Sequence, residues 1–120
     1  MNLLRCIEQI KRHPDFDKVG MILSHNGVVR GFSRDGRKIS GLSVSVDHAK
    51  LKEIVETQKK APGILDIIVE IAENKRLSVG DDIMIIVVAG DIREHVIGTL
   101  EKTLNLVKQT VTRKTEYYID

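Results

Sequence analysis

Aromatic side chains are scarce in this chain: two Phe, two Tyr and no Trp in 120 residues. Base-stacking platforms for nucleic acid need exposed rings, so this scarcity argues against them. Cysteine is scarcer still. The single Cys6 excludes an intrachain disulfide and a zinc site of the multi-cysteine kind. It lies on a helix of mixed charge with no activating partner nearby in sequence, so it is expected to be inert and not a sulfur carrier. Neither sign of charge dominates. Lys and Arg number 19 against 17 Asp and Glu, a net of +2, so any anion site must come from local clustering. Long apolar runs are absent as well. The opening MNLLRCIEQIKRH is broken by charges and reads as neither a signal peptide nor a membrane span. A reducing cytoplasm is the expected location. His13, His25, His48 and His95 lack the spacing of metal ligands, so no metal is expected.

What is present is ordinary globular material. Apolar residues make up 42% of the chain, enough for a core in a single domain over residues 1–120. Leu3, Leu4, Ile7 and Ile10 recur at helical spacing, which predicts an amphipathic helix over 2–12, closed by His13-Pro14-Asp15. Val19 to Ser24 reads as a strand ending at an Asn26-Gly27 turn. Residues 31–38 read as a polar loop. Leu42, Val44 and Val46 alternate with Ser43, Ser45 and Asp47, the period of a half-buried strand. Helical spacing returns from His48 to Lys60, stopped by Pro62-Gly63. Ile64 to Ala72 is β-rich. Ser78 to Asp81 is a turn, and Ile83 to Ala89 is a strand apolar enough to be buried on both faces. A long helix over 91–109 and a closing strand from Val111 to Ile119 complete the chain. The order βαββαβ behind a leading helix indicates an α+β sandwich of helices against a mixed sheet.

Several stretches carry a resemblance. Gly20-Met-Ile-Leu-Ser-His-Asn-Gly27-Val-Val-Arg30 is an apolar strand running into a Gly-x-Val-Arg turn. Leu77-Ser-Val-Gly80-Asp-Asp-Ile-Met-Ile-Ile-Val-Val88 is a Gly-Asp turn followed by a hydrophobic strand. The long helix then leads to Lys108, and the chain closes on Lys114-Thr115-Glu116. In this order and spacing the chain resembles the large, catalytic subunit of molybdopterin synthase over residues 16–118. Asp47 stands where that family usually has Glu, and Ile92-Arg93 where it has His-Arg; His95, one turn on, is a candidate to replace the missing imidazole. The segment before Lys114 is one residue shorter than in the family.

The resemblance implies an α/β-hammerhead-type fold, a homodimer, and a ubiquitin-like small subunit at each end. It implies sulfur transfer from a thiocarboxylate on the small subunit's C-terminal Gly-Gly to cyclic pyranopterin monophosphate, forming a dithiolene, with no cofactor. It implies catalytic roles for Lys108 and Lys114 and substrate contacts from Val28, Val29, Arg30, Ile92, Arg93, Thr115 and Glu116. The chemistry suits those residue types. Arg offers a planar fork to phosphate, and acyl transfer needs a group that meets developing negative charge.

Each residue also has a plainer reading. Arg30 suits a solvated strand end. A cation at Arg93, in a helix's first turn, is mildly misplaced, by about 0.3–1 kcal/mol. Lys108 suits a helix C-terminus. Lys114 suits an edge strand, and Glu116 a surface ion pair. The basic loop residues Arg34, Arg37 and Lys38 suit solvent, or closure over an anion. The alternative function is a divergent, non-catalytic homologue that binds the ubiquitin-like partner, favoured by Ile92 and by the altered segment Val111–Arg113. A third is an unrelated phosphate-binding α+β domain.

Overall fold

The computed structural model describes residues 1–119. Helix α1 (Leu3–Lys11) precedes strands β1 (Met21–Val28) and β2 (Ile39–Val46). Helix α2 (His48–Lys59) is followed by β3 (Ile64–Ile71), the short β4 (Leu77–Ser78) and β5 (Asp82–Gly90). The long α3 (Arg93–Thr110) then leads into β6 (Thr112–Tyr118). The α+β expectation holds, with more strands ahead of each later helix than the expected βαββαβ order. The mixed sheet does not hold: the strands form two three-stranded sheets, ordered β1-β5-β3 and β4-β2-β6, in which every pairing is antiparallel. Hydropathy periods report which face of a strand is buried. They carry no information about its neighbours, which is why the partnering was misread.

The strand β5 organises the larger sheet. Met84, Ile86 and Val88 face α2 and α3, packing with Ile54, Val96 and Val107. Ile85, Val87 and Ala89 face α1, packing with Cys6 and Ile10. Burial on both faces is what its unbroken apolar run requires. Ile10 is fully buried, worth about 1.5–3 kcal/mol of hydrophobic transfer. A third cluster of Val29, Leu42, Val44 and Leu77 lies on the smaller sheet. Among the described residues no helix is long and apolar enough to cross a membrane.

Local chemistry sets the boundaries. Asn2 caps α1 by accepting from the Arg5 amide at 3.2 Å, and Asp47 caps α2 by accepting from the Lys50 amide at 3.0 Å. Asn26-Gly27 does not turn the chain. Both residues lie inside β1, opposite Ile85 and Met84, and the Asn26 amide donates to Asp82 at 2.9 Å. The expected turn is replaced by a bulge between Gly27 and Val28. Bulges of this kind bend a strand and re-aim its side chains.

One core position works against stability. Thr103 lies fully buried on α3, and its hydroxyl has no hydrogen-bond partner among the described residues. Thr103→Val keeps the shape and removes the stranded hydroxyl. It should stabilise the fold by about 1–2 kcal/mol. Chemical denaturation reads this directly, and an unchanged or lowered midpoint would refute it.

Candidate functional site: a basic cleft between the two sheets

A cavity of about 620 Å³ opens where the two sheets meet, within the usual size range for small-ligand pockets. Its floor is apolar: Ile39, Leu42 and Val44 from β2, and Ile83 and Met84 from β5. Its rim is charged. Arg30 enters from the end of β1 and Arg34 from the loop beyond it. Lys108 comes from the last turn of α3, and Lys114 and Glu116 from β6. Four cationic side chains thus face a single carboxylate, in a protein whose overall charge is nearly balanced. That is the local clustering an anion site needs.

The strand β6 supplies its residues by alternation. Thr112, Lys114 and Glu116 face the cavity, and Glu116 pairs with Lys114 at 3.8 Å. Arg113, Thr115 and Tyr117 face the opposite side of the sheet, beside Ser43 and Arg76. Thr115 is therefore not part of the cleft, although its neighbours in sequence are.

Other expected contacts also divide. Val28 is half-exposed and lines the cavity. Val29 is buried, and both its backbone groups are occupied by the Ser78–Asp81 turn. Its amide donates to the Asp81 carbonyl at 2.9 Å, and its carbonyl accepts from Gly80 at 2.8 Å. Its backbone holds the turn, with its one N–H already donated. Ile92 and Arg93 sit at the opposite end of α3 from Lys108. Fifteen residues of helix separate Arg93 from Lys108, about 22 Å at 1.5 Å per residue. Within one chain Arg93 cannot join the cleft, and it instead lies exposed beside Glu94 at 3.6 Å.

Within one chain His95 cannot supply the missing imidazole to the cleft either. Its Nδ1 lies 2.8 Å from Asp91 Oδ1, next to Gly63 and far along α3 from the cavity. The same contact is the leading cause that holds the Asp91 carboxyl below its ordinary value.

Cys6 behaves as its surroundings dictate. It is buried, its thiol donates to Glu70 at 3.0 Å, and burial followed by that bond pushes its pKa up to about 11. A reactive thiol needs the reverse.

The sequence reading missed His25. It occupies the α3-facing side of β1, with Met21 and Leu23, and its Nε2 lies over Gly27 in the space a Cβ would enter, 3.3 Å from that position. Burial, and secondarily the charge of Lys108, lower its pKa from 6.5. No sequence signal marks it, because the charge that acts on it, that of Lys108, lies 83 residues away along the chain. The direction of the shift sets a pH dependence. Below about pH 6.5 the unfolded imidazole binds a proton that the folded one resists. Stability should therefore fall as pH drops beneath 6.5 and stop falling, as far as His25 is concerned, below its folded pKa. His25→Phe should flatten this segment of the curve. Urea midpoints at pH 7.5 and 5.5 for both proteins test it; equal pH sensitivity would count against the assignment.

Comparison with known proteins places the fold. No curated protein matches the chain in sequence. Molybdopterin synthase from Staphylococcus aureus shares the fold with a TM-score of 0.73 at 22% identity, over 87% of this chain and 78% of that one. The complex of subunits 1 and 2 of the molybdopterin-converting factor from Helicobacter pylori 26695 contains a chain similar to this one with a TM-score of 0.72 at 16% identity, over 100% and 85%. Molybdopterin cofactor biosynthesis protein E from Burkholderia multivorans gives a TM-score of 0.75 at 19% identity, over 100% and 84%. The profile of the MoaE protein family matches residues 3–110, from the start of α1 to the end of α3. With that match spanning all but β6, and the same fold in each of these structures, the chain belongs to the MoaE family.

Proposed function

We propose that the chain is the large, catalytic subunit of a molybdopterin synthase, working in the cytoplasm on cyclic pyranopterin monophosphate. The observation that carries this is convergence. Arg30, Lys108 and Lys114 come from three separate elements of a MoaE-family chain and border one cavity of ligand size. In this reading the C-terminal Gly-Gly thiocarboxylate of a ubiquitin-like small subunit enters the cleft and gives up its sulfur as the acyl C–S bond breaks, leaving a carboxylate, and two such deliveries supply the two sulfurs of the dithiolene. The Helicobacter pylori complex of two subunits supports the presence of such a partner.

The residues divide the work by their chemistry. The Arg30 guanidinium binds the substrate's phosphate through a two-pronged contact. Lys108, on an exposed helix end with a flexible stem, reaches the reacting atoms and acts as the main catalytic group. Lys114 positions the thiocarboxylate and meets charge developing on its acyl oxygen, held in place by Glu116. Val28 packs against the ligand at the rim. Two copies pair as a homodimer, and a second copy is the one source from which Ile92 and Arg93 can reach a cleft, given their distance from Lys108 along α3.

Single-turnover conversion of cyclic pyranopterin monophosphate, with thiocarboxylated small subunit in excess, tests the proposal. Dithiolene should form. A chain that binds the small subunit but forms none would instead be the divergent, non-catalytic homologue that Ile92 favours.

A further inference from the structure

The segment after β1 is not a solvated loop. Gly36, at φ +90°, follows a tight turn in which its amide donates to the Ser33 carbonyl at 3.0 Å, and the Ser33 amide donates to Arg37 at 2.8 Å. Phe32 and Lys38 pair across the arms in an antiparallel bridge. A glycine in the left-handed conformation after a tight turn is a standard way to close a short hairpin. Ser33 is buried, and its hydroxyl bonds Asp35 and accepts from the Arg37 amide at 3.2 Å. The Arg37 guanidinium lies 3.7 Å from the centre of the Tyr118 ring, which ties the returning arm to β6.

This scaffold fixes what the hairpin presents. Val29 and Ser33 are buried, whereas Arg30, Phe32 and Arg34, the last within the turn that closes the hairpin, all line the cleft. Phe32 stands apart among the chain's four aromatic residues. Phe16 packs against the α1 side of the core, and Tyr117 and Tyr118 each carry an arginine over the ring. Phe32 is 51% exposed and belongs to none of the core clusters, so its ring faces the cavity uncovered among the described residues.

We propose that Phe32 is a stacking platform for the planar heterocycle of the substrate, and that Arg34 is a second phosphate ligand beside Arg30. The inference rests on the reading of this cleft as a site for a pterin phosphate and names which residues select the ring. An apolar ring flanked by two guanidinium groups suits a flat, conjugated heterocycle joined to an anionic phosphate. A Gly-Gly tail, with no ring to stack, has no use for it. Because Ser33, Asp35 and Arg37 hold the hairpin through their own bonds, Phe32 and Arg34 can be changed without dismantling it.

Equilibrium binding of three probes to the unmodified chain and its variants tests the assignment: inorganic phosphate, an unphosphorylated pterin, and a pterin carrying a phosphate monoester. Phe32→Ala should weaken both pterins about 5- to 100-fold, the size of an aromatic stack on a base, and leave inorganic phosphate unchanged. Phe32→Tyr should restore pterin binding and Phe32→Leu should not. Arg34→Gln should weaken phosphate and phosphopterin and spare the plain pterin. Pterin binding indifferent to Phe32→Ala, or phosphate binding indifferent to Arg34→Gln, overturns this assignment while leaving the cleft's broader role intact. Failure of the unmodified chain to bind any of the three overturns both.

Discussion

Lys108→Ala should lower single-turnover conversion of cyclic pyranopterin monophosphate by about 100- to 10,000-fold, the range for loss of a group that acts directly on a proton or a reacting atom. Lys108 is exposed in the last turn of α3, so truncation removes a charge and no core volume. The helix end loses a favourable dipole interaction of about 0.3–1 kcal/mol and nothing more. Thermal stability and affinity for the small subunit should therefore hold close to those of the unmodified chain. Arg113→Ala is the matched control. It removes a cation only five residues away, on the face of β6 turned from the cleft, and should change conversion little. Near-normal turnover by Lys108→Ala would sink the assignment of the main catalytic role. Equal losses in both variants would mean that positive charge near β6, and not this amine, is what matters.

A large stability effect should come from a glycine. Gly63 joins α2 to β3 with φ +76°, a conformation that costs other residues about 1–3 kcal/mol. A Cβ there would also run into Asp91 Oδ1 and His95 Nδ1. The Gly63 carbonyl accepts from the Asp91 amide at 2.9 Å, so this backbone cannot shift without releasing the start of α3. Gly63→Ala should cost about 2–4 kcal/mol, the sum of backbone strain and the displaced Asp91–His95 pair. In a domain of this size that lowers the melting temperature by roughly 10 °C. Calorimetry measures it. A loss under about 1 kcal/mol would show that the junction relaxes more easily than its contacts indicate. His95→Ala, which clears one of the two clashing atoms, should recover part of the loss in the double variant.

Much of the cleft can be traced to local sequence pattern. The unbroken apolar run of β5 called for burial on both faces, and Met84–Gly90 has it, with α1 on one side and α2 and α3 on the other. Alternation in Leu42 to Val46 turned Leu42 and Val44 inward and Ser43 and Ser45 outward, and the same period in β6 turned Lys114 and Glu116 to the cleft. Period two also excluded Thr115, although likeness to a family motif had suggested including it. Arg30, Phe32 and Arg34 reach one side only through the bend at Gly31 and the turn at Arg34, which no period of two predicts.

The sequence by itself determined elements and faces, because a residue's neighbours at i+2 or i+4 are set by backbone geometry alone. Only the tertiary structure decided the rest. It divided the strands into two antiparallel sheets, brought the charge of Lys108 to bear on His25, and closed residues 31–38 into a hairpin. These are long-range choices. They depend on which surfaces bury together, and the energy that settles them is spread over three core clusters and encoded in no short motif.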